Sequence, residues 1–260
     1  MTAAFTLATW NVNSLRARLP GVLRWVRQRK PDVLCMQETK VPDEDFPLDE
    51  FTILGYHEAL YGQKTYNGVA ILSRKPLTEV ARGFDAQGRD EQKRLIAASV
   101  AGIRVVNAYV PNGGEVGSDK FAYKLEFLDK LRRYFAGRHR PDDLVVLVGD
   151  FNVAPEPRDV FDPAAMDGQT CYHPDERAVL AKLAAWGFED LFRRYESGAG
   201  HYTWWDYRQG AYQRNLGLRI DHVWTTRALA ERSQSCLIDK DERGKDRASD
   251  HVPVVAAFSI

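Results

Sequence analysis

The chain has 260 residues, with 36 basic and 36 acidic side chains, so its formal net charge at pH 7 is zero; 44% of the residues are hydrophobic. This balance excludes a simple polycation, although basic residues gathered on one face would still attract a polyanion. The composition is typical of a soluble globular protein that buries about three quarters of its extended-chain surface. Because no repeat or low-complexity tract divides the chain, we predict one domain over residues 1–260.

Three cysteines, Cys35, Cys171 and Cys236, are widely spaced, and none belongs to a CxxC pair. This pattern argues against a disulfide framework and a thiolate zinc site, and it favours a reducing compartment. The first residues lack a basic segment before an apolar core, and no window reaches about 18 apolar residues. We therefore expect a cytoplasmic protein without a membrane segment.

Short apolar runs predict roughly ten to twelve strands. In chain order they are residues 5–10, 33–36, 56–61, 68–72, 95–100, 103–110, 144–148, 219–225, 236–238 and 252–258. The run 144–148 has an apolar residue at every position, which is typical of a strand buried on both faces. The runs 95–100 and 103–110 read as a hairpin.

Helices are predicted between these strands. One has Pro20 in its first turn and stops before Pro31, one is capped by Ser118 and continues to about Phe135, and one covers residues 174–186. This many strands exceed one simple doubly wound sheet. We therefore predict an α/β fold in which two sheets pack face to face with helices outside.

Several apolar runs end in side chains able to do chemistry. They are Asn11, Glu38, Tyr109, Asp150, Asn152, Asp221, Asp250 and His251. Each alone is more often structural or solvated, but together they supply hard oxygen ligands, one histidine and no cysteine, which suits Mg²⁺ or Mn²⁺ rather than Zn²⁺. The set also meets the needs of phosphodiester hydrolysis: a divalent ion, a carboxylate that activates water, and neutral donors for phosphate oxygens. GxSxG, P-loop and HExxH motifs are absent, which disfavours an α/β-hydrolase, an NTPase or a zincin.

Eight motifs follow one another along essentially the whole chain. They are WNVNSLRAR (10–18), MQETK (36–40), NGVAILSR (67–74), NAYVPNG (107–113), GDFNVAP (149–155), YTWWDYR (202–208), LRIDHVW (218–224) and SDHVPV (249–254). In this order they resemble the exonuclease III family of abasic-site endonucleases. The resemblance implies a four-layer α-β-β-α sandwich of two mixed sheets. It also implies a Mg²⁺- or Mn²⁺-dependent DNA repair nuclease that cuts 5′ to abasic sites, trims blocked 3′ ends and degrades one strand of duplex DNA from its 3′ end.

The same resemblance implies roles around a metal and a water. Glu38 would bind the metal, Asp250 would lie next to it, and Asn11 would help to orient metal and water. Asp150 would position and deprotonate the attacking water, with Asn152 beside it as a donor.

Further roles concern the phosphate. Tyr109 would donate to the scissile phosphate, and Asp221 would hold His251 aimed at a phosphate oxygen. The division of labour between Asp150 and the Asp221–His251 pair stays open at this point.

DNA contacts are expected from loops. The resemblance places Trp204 and Trp205 where aromatic side chains pack against an extrahelical sugar or wedge into the duplex, although Trp205 is equally well explained as core. The candidate phosphate contacts are Lys93, Arg94, Lys120 and Lys124, each of which is also explained as a solvated charge.

His173 precedes the turn Pro-Asp-Glu-Arg, where a smaller residue would be expected. One hypothesis is that its ring narrows the sugar pocket and weakens abasic-site cutting relative to 3′-end trimming. The alternative is that His173 caps the following helix.

Two other functions compete with a DNA nuclease. A phosphodiesterase with the same scaffold could act on a lipid or inositol phosphate, but the motif YTWWDYR favours DNA. A DNA-binding module that has lost catalysis is disfavoured because all eight site residues are present. We expect a monomer, since the site must accept a long duplex.

Overall fold

The computed structural model describes residues 4–86, 88 and 92–260. Two six-stranded sheets lie face to face, and helices cover the outer side of each. This arrangement confirms the predicted four-layer α/β sandwich. Among the described residues, no helix is both long and apolar enough to cross a membrane.

The strands and helices have the following bounds. The strands are β1 (Phe5–Asn11), β2 (Val33–Gln37), β3 (His57–Tyr61), β4 (Val69–Ser73), β5 (Thr78–Arg82), β6 (Leu95–Val100), β7 (Ile103–Tyr109), β8 (Val145–Asp150), β9 (Phe188–Asp190), β10 (Asp221–Thr226), β11 (Ser233–Ile238) and β12 (Val254–Phe258). The helices are α1 (Leu15–Arg29), α2 (Leu48–Thr52), α3 (Asp119–Arg138), α4 (Pro163–Met166), α5 (Pro174–Ala184), α6 (Leu191–Tyr195) and α7 (Arg227–Ala230). Short 3₁₀ turns lie at Asp43–Asp45, Pro157–Asp159 and Lys240–Gly244.

Each sheet contains one parallel pair near its centre. The strand orders are β11-β12-β1-β2-β4-β3 and β5-β6-β7-β8-β10-β9. The pairs β1–β2 and β7–β8 are parallel, so the strands of each pair end at the same edge. Strand β10 runs antiparallel to β8 and begins where β8 ends, which places Asp221 opposite Asp150. The strand ends therefore gather polar residues from distant parts of the chain.

Three apolar clusters hold the layers together. Between the sheets, inward side chains such as Ile71 and Val148 are fully buried. Outside the first sheet, Trp25 of α1 is fully buried, and outside the second sheet Leu128 of α3 packs in a cluster with residues of α5. A side-chain amide also links the sheets, since Gln37 Nε2 donates to Asn107 Oδ1 at 2.7 Å.

Most predicted elements are confirmed, including the hairpin β6–β7 and the Ser118 cap, whose hydroxyl oxygen accepts from the Phe121 amide. The predicted start of the first helix is wrong, because α1 begins at Leu15 and contains Pro20. Burial of Leu15 and Trp25 against the first sheet compensates for the hydrogen bond that proline cannot make. Strand β5 was not predicted, since it is a largely exposed edge strand without an apolar run.

Candidate active site

A cavity of about 240 Å³ opens at the edge where β2, β7 and β8 end. Six of the eight residues collected from the sequence line it: Glu38, Tyr109, Asp150, Asn152, Asp250 and His251. The other two, Asn11 and Asp221, lie behind the wall and hydrogen-bond to it. The structure thus brings all eight side chains together.

Asn11, the last residue of β1, holds two carboxylates side by side. Its Nδ2 donates to Glu38 Oε1 and to Asp150 Oδ2, each at 2.9 Å. The other oxygen of Asp150 accepts from the backbone N–H of Asn152 at 2.9 Å. Asp150 is therefore oriented through both oxygens by groups that cannot take its proton.

Gly149 lets β7 and β8 approach closely just before Asp150. Its φ is 138°, and a Cβ built on it would lie 1.8 Å from the carbonyl oxygen of Ala108. The register pairs Ala108 with Gly149 and Tyr109 with Asp150. The absence of a side chain at Gly149 is therefore what places Tyr109 beside Asp150.

His251 lies between two aspartates. Its Nδ1 is 2.8 Å from Asp221 Oδ2, and its Nε2 is 3.8 Å from Asp150 Oδ2. Burial alone would lower the pKa of His251, but the charges of Asp221 and Asp150 outweigh burial and raise this pKa to about 10. The imidazole is then protonated at neutral pH, with Nδ1–H donating to Asp221 and Nε2–H directed toward the side of Asp150.

The loop that carries His251 is anchored to strand β1 of the first sheet. Ser249 Oγ donates to the carbonyl of Asn11 at 2.8 Å and accepts from the His251 N–H at 3.2 Å. The indole N–H of Trp10 donates to the carbonyl of His251 at 3.1 Å. These bonds fix the backbone of His251 relative to β1, and the bond to Asp221 orients its ring.

Burial and neighbouring charge act on the other ionisable groups of the cavity. Burial raises the pKa of Asp150, because it outweighs the opposing charge of His251 and the hydrogen bond from Asn11, and the charges of Asp221 and Glu38 act in the same direction as burial. Burial would also raise the pKa of Glu38, but hydrogen bonds from Asn11 and Lys40 outweigh it and lower that pKa. Burial and the adjacent carboxylates raise the pKa of Tyr109 well above its usual range, so the phenol keeps its proton and donates to Glu38 Oε1 at 2.9 Å.

Three residues of the site were not singled out from the sequence. Lys40 Nζ lies 2.8 Å from Glu38 Oε2 and donates to Asn13 Oδ1 at 2.6 Å, and Asn13 Nδ2 donates to Asp250 Oδ1 at 2.9 Å. Asn112 Nδ2 donates to Asn152 Oδ1 at 3.0 Å. All three lie inside the quoted motifs, but their residue types are too common in loops to signal a site by themselves.

The donor set fits a divalent metal ion. Glu38, Asp150 and His251 each offer one ligand atom, and these atoms lie within 4.8 Å of one another. Two carboxylates held together by one amide favour a compact hard cation between them. Nδ1 of His251 is already bonded to Asp221, and a hard cation prefers oxygen ligands, so the two carboxylates are the better ligands and His251 the better hydrogen-bond donor.

Asp250 stands apart from that cluster. Its oxygens accept from Asn13 and from the indole N–H of Trp204, at 2.9 and 3.0 Å. Burial would raise the pKa of Asp250, but the His251 charge and these two donors outweigh burial and lower it. Its predicted place next to a metal stays a prediction.

Two of the predicted DNA contacts are wrong. Trp205 is fully buried, and its ring packs edge-on against Tyr212 with centroids 5.4 Å apart. Lys124 is also fully buried, and its ammonium pairs with Glu176 at 2.5 Å. Neither side chain can reach DNA from these positions.

The remaining predicted contacts lie at or near the surface. Trp204 is half-buried and lines the cavity, and Lys120 is exposed. The guanidinium of Arg94 stacks on the ring of Tyr109, 4.6 Å from its centroid. Lys93 lies 4.3 Å from the centroid of the Tyr61 ring, and its Nζ donates to Tyr61 OH at 3.1 Å.

His173 caps α5 and does not gate the cavity. Its Nδ1 accepts from the Asp175 N–H at 3.1 Å, and its ring packs edge-on against Phe121. His173 lines neither the 240 Å³ cavity nor the larger cavity, of about 490 Å³, that adjoins it. The gate hypothesis is therefore wrong in its geometry, and the capping alternative is confirmed.

The larger cavity, of about 490 Å³, adjoins the first and is more apolar. Asn112, Cys171, Trp204 and Leu218 line both. Its wall continues along Phe161, Met166, Ala211 and Leu216. If a phosphate group lay in the smaller cavity, an uncharged group connected to it could contact the apolar wall of the larger cavity.

The fold is an α/β sandwich of two sheets. Its site is a group of carboxylates and one histidine at the edge where strands of both sheets end. The profile of the endonuclease/exonuclease/phosphatase family matches residues 8–251. The exodeoxyribonuclease III of Haemophilus influenzae is 34% identical to the chain, over 96% of this chain and 98% of that protein.

Solved structures agree closely. An AP endonuclease from Archaeoglobus fulgidus superposes with a TM-score of 0.94 and 43% identity, covering 98% of this chain and all of that one. The 3′ phosphatase NExo from Neisseria, bound to a product DNA hairpin, superposes with a TM-score of 0.94 and 39% identity, covering 99% of this chain and 100% of that one. The chain belongs to the endonuclease/exonuclease/phosphatase family and, within it, to the exonuclease III group.

Proposed function

We propose that this protein is a DNA repair nuclease that hydrolyses phosphodiester bonds of duplex DNA, cutting 5′ to abasic sites and trimming blocked 3′ ends. One observation carries the proposal: Asp150 lies between Asn11 and His251, and Asp221 holds His251, in a cavity that Glu38 and Tyr109 also line. The names of the related proteins, which include an exodeoxyribonuclease III and an AP endonuclease, support DNA as the substrate.

In this proposal Asp150 is the residue that activates water. Both of its oxygens are oriented by amide donors, so one lone pair could face a water in the cavity and take its proton as the water oxygen attacks phosphorus. The bond from phosphorus to the 3′ oxygen breaks in the same step, and that oxygen takes a proton from solvent and leaves as a 3′-hydroxyl. Asn11 keeps the carboxylate in place, since it holds Asp150 and Glu38 with one amide group.

Several donors would hold the phosphate. His251, with its Nδ1–H directed to Asp221, presents Nε2–H to the cavity, and Asn152 and Tyr109 lie on the same wall. Fixed donors of this kind stabilise negative charge that develops on phosphate oxygens. The side chain of Asn152 is held by Val110 and Asn112, which keeps it oriented before the substrate binds.

Glu38 and Asp150 would hold a Mg²⁺ or Mn²⁺ ion, with Asp250 as a neighbour. Such an ion, when bound, supplies positive charge that stabilises the phosphoryl group under attack. Lys40 and Asn13, which bridge Glu38 to Asp250, would keep these carboxylates in position.

DNA would lie across the cavity mouth. The larger cavity would take the sugar of an abasic nucleotide, with Trp204 and Leu218 against its apolar face. Arg94, which stacks on Tyr109, and the exposed Lys120 would contact phosphates of the DNA. We also propose that the protein is a single-domain monomer that works in the cytoplasm.

The test is a nicking assay on an oligonucleotide duplex with one abasic-site analogue, run with Mg²⁺, with Mn²⁺ and with a chelator. We expect cleavage 5′ to the analogue with either ion and none with the chelator. A second duplex with a 3′-phosphate measures end trimming. Binding of the duplex without any cleavage would instead favour a non-catalytic DNA-binding module.

A further inference from the structure

Lys124 is an unusual residue for the middle of a surface helix, because none of its side chain is exposed. It lies on α3 and reaches inward to Glu176 of α5, which is also fully buried. The two helices pack against the same sheet. The ion pair thus joins the outer helical layer to the loops beneath it.

All three ammonium hydrogens of Lys124 have acceptors. Nζ donates to Glu176 Oε1 at 2.5 Å, to the carbonyl of Asn112 at 2.9 Å and to the carbonyl of Asn152 at 2.7 Å. Asn112 follows β7, and Asn152 follows β8. One buried charge therefore fixes the backbone of two loops that leave neighbouring strands.

Glu176 fixes a third loop. Its Oε1 also accepts from the N–H of Cys171 at 3.3 Å, and its Oε2 accepts from the N–H of His173 at 3.1 Å. The carbonyl of Cys171 accepts from the N–H of Ala154 at 2.7 Å. The loops of Asn112, Asn152 and Cys171 are therefore connected through this pair.

The side chains of these three loops form one wall of the catalytic cavity. Asn112, Asn152 and Cys171 all line it, and Asn112 Nδ2 donates to Asn152 Oδ1 at 3.0 Å. Asn152 and Cys171 have φ angles of 50° and 72°, a left-handed conformation that costs free energy for residues with a side chain. Such a conformation persists where surrounding bonds hold it.

Stability alone does not account for the pair. Two charges lose their hydration when they are buried, and an apolar pair of similar volume often gives an equally stable fold. The Lys124–Glu176 pair instead places donors and acceptors on backbone groups of the cavity wall, which an apolar pair cannot do. The pair therefore supports the backbone of the three loops that form the cavity wall.

We propose that Lys124 and Glu176 are positioning residues for the hydrolysis, acting through Asn152 and Asn112 on the geometry around Asp150. The inference rests on the proposed nuclease function. Asn152 is the direct link, because its carbonyl accepts from Lys124 and its N–H donates to Asp150. Loss of the pair therefore lowers the rate of the chemical step more than it lowers affinity for DNA.

The test replaces the pair as a unit with Lys124→Met and Glu176→Gln, which removes both charges and keeps similar volumes. On the abasic-site duplex, kcat should fall about 10- to 100-fold, the size of effect expected when a catalytic group moves by a fraction of an ångström to an ångström. KM for the duplex should stay close to the wild-type value. Arg24→Met with Glu242→Gln removes another ion pair away from the cavity, in which Glu242 is buried and Arg24 half-buried, and should lower the melting temperature without changing kcat.

The same pair substitutions in a second variant distinguish a positioning role from general destabilisation of the fold. In an Asp150→Asn protein, adding the two pair substitutions should have little further effect on kcat, because the carboxylate that they position is gone. Equal kcat losses in the two backgrounds would overturn the proposal, as would wild-type kcat in the pair variant. If the pair variant does not fold, Glu176→Gln alone keeps an acceptor for Lys124 but puts an NH2 group where Oε2 accepted from the His173 N–H. This variant should still lower kcat by displacing the Cys171 loop, and wild-type kcat in it would overturn the proposal. Wild-type protein is assayed first, and absence of cleavage there refutes the nuclease function itself.

Discussion

Substitution of Gly149 by alanine should remove most activity through the backbone alone. Gly149 precedes Asp150, and a Cβ at this position would lie 1.8 Å from the carbonyl oxygen of Ala108. Real Cβ atoms essentially never approach within 3.0 Å, so the two strands must separate by about 1.2 Å (3.0 minus 1.8). The contact is with backbone, so no side-chain rotation relieves it.

The displacement falls on the residues that flank the clash. Tyr109 follows Ala108, Asp150 follows Gly149, and the two are paired across β7 and β8. A shift of about 1 Å at reacting groups costs about 100-fold in rate, so we expect kcat to fall by at least this factor. Overpacking also lowers the free energy of unfolding by about 1–3 kcal/mol.

The assay measures kcat on the abasic-site duplex together with the melting temperature. Gly102→Ala is the matched control, because Gly102 also has a positive φ, in the β6–β7 turn, but a Cβ there would meet no atom within 4 Å. The control should lose about 1–2 kcal/mol of stability from backbone strain and keep wild-type kcat. If Gly149→Ala retained wild-type kcat, the claim that the spacing of β7 and β8 positions Asp150 would be refuted.

Three further predictions follow from individual contacts. Asp150→Asn should lower kcat by about 10²–10⁴-fold, because the amide cannot accept the proton of the water. The affinity for the duplex, measured by fluorescence anisotropy, should change little. Near-full activity would show that another residue activates the water. Trp204→Ala should lower kcat/KM for abasic-site incision by the equivalent of about 1.5–3 kcal/mol, because apolar contact with the sugar is lost, and should lower kcat/KM for 3′-phosphate removal less. Assays on the two duplexes check this, and equal losses would contradict a sugar-contact role. His222 lies on β10 and is fully buried, with its Nδ1 3.0 Å from Arg219 Nη1. Burial and the Arg219 charge lower the pKa of His222 to about 4, so its contribution to stability is present above about pH 6.5 and is lost as pH falls toward 4. Urea unfolding should show a loss of about 3 kcal/mol over this range relative to His222→Gln, and parallel pH profiles of the two proteins would refute the assignment.

The strands and their polar ends could be predicted because the signals are local. The run 145–148 is buried on both faces, and its apolar character alone indicates this. Asp150 and Asn152 follow it directly, so their place at a sheet edge follows from chain order. The convergence of the other polar ends could be predicted from the resemblance, since eight short motifs keep the order of a known family.

The solvent exposure of individual side chains could not be predicted in the same way. Lys124 and Lys120 lie on the same side of α3 by their spacing of four residues, yet only Lys124 is buried. The difference comes from Glu176, which lies fifty-two positions along the chain and supplies the opposite charge. Trp204 and Trp205 are adjacent and chemically identical, but Trp205 points into a pocket of aromatic rings and Trp204 toward Asp250.

The sequence by itself determined two facing sheets with helices outside and the eight polar groups, because apolar runs and strand ends are properties of nearby residues. The order of eight motifs along the chain added the family and its four-layer architecture. Only the tertiary structure decided which charges and rings are available to DNA, which residues support the site, and that His173 is a helix cap. These outcomes depend on contacts between segments far apart in the chain. Lys40, Asn13 and Asn112 are the clearest cases, since each is an ordinary loop residue until the fold brings its partner within hydrogen-bond distance.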